Sequence, residues 1–93
     1  MIRVKNSTGE MIYSMYIFPS GSGWGNNILE GLRFHTGEII TVNLYQSFDF
    51  SKQYFIVLID GNDDNYVKYI RFTQNVLLEF VLEDLYNGPV DGH

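Results

Sequence analysis

A chain of 93 residues is enough for one domain with a modest core and too short for two. Its apolar content of 45% and aromatic content of 16% exclude disorder, and a net charge of −5 with six scattered basic residues argues against a phosphate-binding surface, so nucleic acid is not an expected partner. The absence of cysteine excludes disulfides and thiolate metal sites. The longest apolar run, residues 54–59, falls far short of the roughly 20 residues of a membrane helix, so no membrane span is expected.

Residues 2–5 alternate as a strand and end at Asn6-Ser7-Thr8-Gly9, a cluster that favours turns and predicts a hairpin to the next strand. Residues 11–18 carry large side chains on both alternating faces, the pattern of a central strand or of one that lends a face to a partner. Pro19-Ser20-Gly21-Ser22-Gly23-Trp24-Gly25-Asn26-Asn27 then breaks the alternation and holds the only tryptophan. Residues 24–31 are long enough for a single helical turn closed by Gly31.

Residues 32–34 read as a short strand or an extended connection, and residues 39–45 as a strand with β-branched side chains at Ile39, Ile40, Thr41 and Val42. Residues 46–53 read as a loop whose Phe48 and Phe50 fold back onto the domain. A fully apolar strand over 54–59, a polar turn at 60–65 and an alternating strand over 66–72 make the strongest hairpin signal. Residues 76–82 supply the last strand. About seven short strands without a helical period predict an all-β fold, an antiparallel β-sandwich, with a small β-barrel as the alternative. The domain is expected over 1–86, followed by a flexible tail over 87–93. Thr8-Gly9-Glu10 recurs as Thr36-Gly37-Glu38, as expected of two hairpins that share one turn chemistry.

Asp60, Asn62 and Asp64 match the first three ligand positions of an EF-hand loop, but Asn65 stands at the glycine position and Arg71 at that of the bidentate Glu. A hairpin turn explains these residues, and weak calcium binding is the alternative; no other cofactor is expected. Gly21-Ser22-Gly23 is not a nucleophile elbow, because Ser20 occupies the position of its first glycine. His35 and His93 fall in no arrangement with a nucleophile and a carboxylate, so no catalytic residues are expected and the chain does not read as an enzyme; a small hydrolase would need a pocket gathering His35, a carboxylate and a serine. The candidate binding residues are Trp24 as an aromatic platform, Tyr13, Tyr16 and Tyr45 beside it, Ser20 and Ser22, and the amides of Asn26 and Asn27. A structural loop with Trp24 capping the core edge explains the same residues.

The run Val4-Lys5-Asn6-Ser7-Thr8-Gly9, followed by Pro19-Ser20-Gly21-Ser22 and Trp24-Gly25-Asn26-Asn27-Ile28-Leu29, resembles a family of small bacterial domains of unknown function. In that family an Asn-x-Thr-Gly turn precedes a strand and a Ser-rich segment leading into Trp-Gly-x-Asn-Leu-Leu; Ile28 departs from its more common leucine. The resemblance covers most of residues 3–84 and implies an all-β domain from an exported or cell-envelope protein, with no catalytic residues to carry over. An extracytoplasmic location follows from it, and a cytoplasmic one if Met1 is the native start. The expected function is non-catalytic binding, with a protein partner or a homodimer first and a carbohydrate or calcium-stabilised module as alternatives.

Overall fold

The computed structural model describes residues 2–43, 49–72, 75–88 and 90. Six strands are present among them: β1 (Ile2–Ser7), β2 (Ile12–Pro19), β3 (Ile39–Val42), β4 (Gln53–Asp60), β5 (Asn65–Arg71) and β6 (Val76–Val81), followed by a 3-10 turn, Leu82–Asp84. They form two three-stranded sheets, β3-β1-β6 and β2-β4-β5, packed as a sandwich that does not close into a barrel. Residues 32–34, read as a short strand or an extended connection, are the latter with one bridge between Phe34 and Ile12, and Leu44, Tyr45 and Phe48 lie outside the described residues. Phe50, expected to fold back, is exposed.

Alternation along each strand sends one set of side chains inward. Ile2 and Val4, Met15, Ile56 and Leu58, Tyr66, and Leu78 and Phe80 meet between the sheets with Leu29, Phe34 and Phe72 to make the main core. Each such aliphatic side chain, fully removed from water, stabilises the fold by about 1.5–3 kcal/mol. The hairpin over β4 and β5 forms as the sequence predicts, with Val57 opposite Val67 and Phe55 opposite Tyr69.

Three expectations about strand pairing and order are corrected. The sheets are not purely antiparallel: β1 and β6 pair in parallel, Val4 opposite Leu78, because strands so far apart in sequence are under no hairpin constraint. The first hairpin does not form, since β1 and β2 lie in different sheets and the segment joining them is a corner. Asn6 makes that corner. Fully buried, its Oδ1 accepts the amide and hydroxyl of Thr8 at 3.0 and 2.7 Å, and its Nδ2 donates to the carbonyls of Glu10 and Phe34 at 2.8 and 2.9 Å.

The second Thr-Gly-Glu is the facing corner, taking the chain from Phe34 back to β3. Gly37 donates its amide to the Asn6 carbonyl, Asn6 its own to the Glu38 carbonyl, and Gly9 to the Thr36 hydroxyl. Gly9 and Gly37 have φ of 85° and 89°, a region that side chains disfavour. Thus the internal echo marks two adjacent corners rather than two hairpins.

The third correction concerns β2, which is an edge strand beside β4; the central strand of that sheet is β4. What closes the open edge of β2 is the segment that follows it. The Asn27 Oδ1 accepts the Met15 amide at 2.9 Å, the Ile28 amide donates to the Met15 carbonyl at 2.8 Å, and Phe34 bridges Ile12. In place of a helical turn, residues 29–32 form a tight turn closed by the Leu32 amide on the Leu29 carbonyl, with Glu30 and Gly31 at φ of 51° and 89°, the signs of a type I′ turn.

Candidate binding face

The outer faces of the two sheets differ in chemistry. On β3-β1-β6 the outward positions include Thr41, Arg3 and Leu77 in one row and Ile39, Lys5 and Glu79 in the next. Arg3, Thr41, Leu77, Ile39 and Glu79 are exposed, and Glu79 accepts the Ser7 hydroxyl at 2.7 Å beside Lys5 at 4.0 Å. That is a solvated surface.

The outer face of β2-β4-β5 carries Tyr16 and Phe18, then Phe55, Val57 and Ile59, then Val67 and Tyr69. Trp24 stacks on Phe18 with ring centroids 5.2 Å apart and planes at 19°, and meets Tyr16 edge-on at 5.3 Å. Phe18 stacks on Phe55 at 5.6 Å and Phe55 on Tyr69 at 4.4 Å. An aromatic row therefore crosses all three strands. Phe18 within the row and Val57 beside it are buried, Tyr16, Trp24, Phe55 and Val67 are half-buried, and Tyr69 is 45% exposed.

The glycine-rich segment builds one end of this row. Pro19 to Ser22 is a turn closed by the Ser22 amide on the Pro19 carbonyl at 3.1 Å, with Gly21 at φ 83°, as a type II turn requires at its third residue. The chain then doubles back so that Trp24 lies on Phe18, and Gly25, at φ 75°, turns it towards the edge of β2. Ser20 and Asn26 are exposed, Ser22 and Asn27 half-buried. Asn27 works on the backbone, since its Oδ1 also accepts the Leu29 amide at 3.1 Å and its Nδ2 donates to the Tyr13 carbonyl at 3.4 Å.

Of the residues expected in a site, Tyr16 and Trp24 come together. Tyr13 stands apart from the row, at a bulge where β2 and β4 slip register between Ile12 and Ser14. Its ring lies against Gly61, where a Cβ would stand 2.9 Å from it, and the Arg33 guanidinium sits 5.5 Å from its centroid. An open cleft of about 310 Å³ lies here, lined by Tyr13, Ser14, Ile59, Asp60, Gly61 and Asp63; His35 is exposed in the second corner and lines no part of it.

Phe55, Val67, Tyr69 and Val90 were not anticipated as part of this face. The signal was present in the unbroken apolar run of β4, which denotes a strand covered on both sides.

Asp60, Asn62 and Asp64 form the turn between β4 and β5. Asp60 is buried; its Oδ1 accepts the amides of Asn62 and Asp64 at 2.8 and 3.0 Å, and its Oδ2 the Tyr66 hydroxyl at 3.0 Å. Asp64 accepts from Asn87 at 3.0 Å. Among the described residues no group of three or more histidine, aspartate or glutamate side chains is placed to hold a metal ion. The Asp60 carboxylate accepts hydrogen bonds within the turn and from Tyr66 at the start of β5, and that of Asp64 accepts one from Asn87 beyond it.

Asn87 and Val90 fall in the segment expected to be a flexible tail. Asn87 also accepts the Asn65 amide at 3.0 Å, and the Tyr86 amide donates to the Asn65 carbonyl at 2.7 Å. Val90 is buried against the cluster of Phe18 and Val57. The chain thus runs beside β5 and then over the aromatic face.

Comparison with known protein families, with characterised proteins and with solved structures gives no match.

Proposed function

We propose that this protein is a non-catalytic binding domain that meets a protein partner, or a second copy of itself, through the outer face of β2-β4-β5. The observation that carries this reading is the contrast between the two outer faces. The outer face of β3-β1-β6 mixes charged and polar side chains with the isolated exposed Ile39 and Leu77, whereas a contiguous aromatic and aliphatic row on the other side of a sandwich is characteristic of interaction sites. Aromatic side chains at such a face bring large contact areas with little conformational freedom to lose. The resemblance to exported bacterial domains adds an envelope or secreted system as the setting.

Carbohydrate is a second reading, favoured by the exposed ring of Tyr69 held flat against Phe55, a geometry suited to stacking a sugar. The decisive substitution is Tyr69→Ser, which removes an exposed ring and leaves the core intact. Self-association measured by sedimentation over a range of concentrations is expected to weaken in Tyr69→Ser. A wild type that stays monomeric, and that retains no proteins from the source cells in a pull-down, overturns the protein-partner reading. A glycan array positive for wild type and negative for Tyr69→Ser would replace it with the carbohydrate one.

A further inference from the structure

We propose that Asn87 is a site of spontaneous deamidation whose conversion unlatches the C-terminal segment from the turn between β4 and β5. Asn87 is the only asparagine in the chain followed by glycine. Deamidation starts when the backbone nitrogen of the following residue attacks the asparagine Cγ, and a side chain on that residue obstructs the approach. A Cβ at 88 would lie 2.6 Å from Cζ and Oη at the tip of the exposed Tyr86 side chain. A larger residue has to push that ring aside.

The reaction balances without a redox partner. The Gly88 nitrogen, having lost its proton to solvent, bonds to Cγ; the Cγ–Nδ2 bond breaks and ammonia leaves, giving a succinimide. Water then opens either carbonyl, yielding aspartate or isoaspartate, so one water enters for each ammonia lost. In the folded protein the carboxamide is held at both ends, by the Asn65 amide on Oδ1 and by the Asp64 carboxylate on Nδ2. Both bonds must break before Cγ can turn to the Gly88 nitrogen, so folding slows the reaction. Asn87 is exposed, so water and base reach it.

The product reverses the sign of the contact. The donor to Asp64 is replaced by a carboxylate within hydrogen-bond range of another, and like charges so close repel. The hold on Asp64 is lost, leaving the Asn65 amide, the Tyr86 amide on the Asn65 carbonyl and the bridge of Leu85 to Tyr66 to keep the segment beside β5, so the anchor that sets Val90 over Phe18 and Val57 is weakened. That this bares the face to a partner rests on the proposed binding role; the modification and the unlatching do not.

The test ages the full chain at mildly alkaline pH in buffer and in denaturant, and maps deamidation by peptide mass spectrometry with isoaspartate resolved. Asn87 is expected to convert ahead of every other asparagine, severalfold more slowly in buffer than in denaturant, and faster in folded Asp64→Ala than in wild type. In Asn87→Asp, the Tyr86 amide is expected to exchange its hydrogen severalfold faster while the amides of β4 are unchanged. Equal rates in buffer and denaturant, another asparagine converting first, or unchanged Tyr86 protection in Asn87→Asp overturns the proposal. None of these readouts involves a binding partner.

Discussion

The Tyr66 hydroxyl donates to the buried Asp60 carboxylate at 3.0 Å, directly below the turn that joins β4 to β5. Burial first, and then this hydrogen bond and the negative charge of Asp60, raise the Tyr66 pKa from 10.0 to about 12. The fold thus favours the protonated hydroxyl. Its contribution to stability is fully present below pH 10.0, the unfolded value, and is lost as pH rises towards about 12. Urea midpoints measured against pH should show an alkaline fall over that window that is absent from Tyr66→Phe. At neutral pH the same substitution should cost about 1–3 kcal/mol, because a buried carboxylate loses one of its donors.

The same geometry bears on calcium. Three protein donors already engage the two oxygens of Asp60, so an ion would have to displace them. Thermal melts with excess calcium and with chelator should coincide. A rise in Tm with calcium would instead favour the calcium-stabilised module.

Asn27 stands where a neighbouring strand would stand, satisfying Met15 and Leu29 amides with one oxygen. Asn27→Ala should destabilise the domain by about 1–3 kcal/mol, the cost of leaving part-buried backbone donors unpaired. Asn26→Ala, at the exposed neighbour, should lie within about 0.5 kcal/mol of wild type. Chemical denaturation of the pair checks both.

Asn6 makes four side-chain hydrogen bonds inside the first corner. Asn6→Ala leaves the buried Thr8 amide without its acceptor and takes one donor each from the Glu10 and Phe34 carbonyls, which keep the Thr8 hydroxyl and the Ile12 amide, and a loss of about 1–3 kcal/mol is expected. Asn6→Asp should be no rescue, since a carboxylate cannot donate to the Glu10 and Phe34 carbonyls. Circular dichroism against denaturant distinguishes these variants from wild type.

Trp24 is half-buried, with one ring stacked on it and another meeting it edge-on. Trp24→Ala should therefore cost about 1–3 kcal/mol, less than the roughly 3–5 kcal/mol of a fully buried aromatic. Because the variant lacks the only tryptophan, its unfolding is best followed by far-UV circular dichroism. A loss well above this range would make the ring chiefly a core element.

The sequence by itself determined the all-β class and the hairpin over β4 and β5. Period-two alternation and turn residues are local signals, and both lie within a few residues of what they specify. It also marked the glycine-rich segment as a departure from strand pattern, because Gly21 and Gly25 are needed for backbone that other residues disfavour. Only the tertiary structure decided what that segment does. Asn27 became an edge clamp and Trp24 a cover for Phe18 because the chain doubles back on β2, and no local pattern encodes which edge a loop will close.

The same holds for the parallel pairing of β1 with β6 and for the corner at Asn6. An Asn-Ser-Thr-Gly turn is compatible with a hairpin or with a passage between sheets, and the choice is made by where Phe34 and Glu38, some thirty residues away, bring their carbonyls. The aromatic row is likewise a property of register. Phe18, Phe55 and Tyr69 are far apart in sequence, and they share one face because backbone pairing sets Phe18 opposite Phe55 and Phe55 opposite Tyr69.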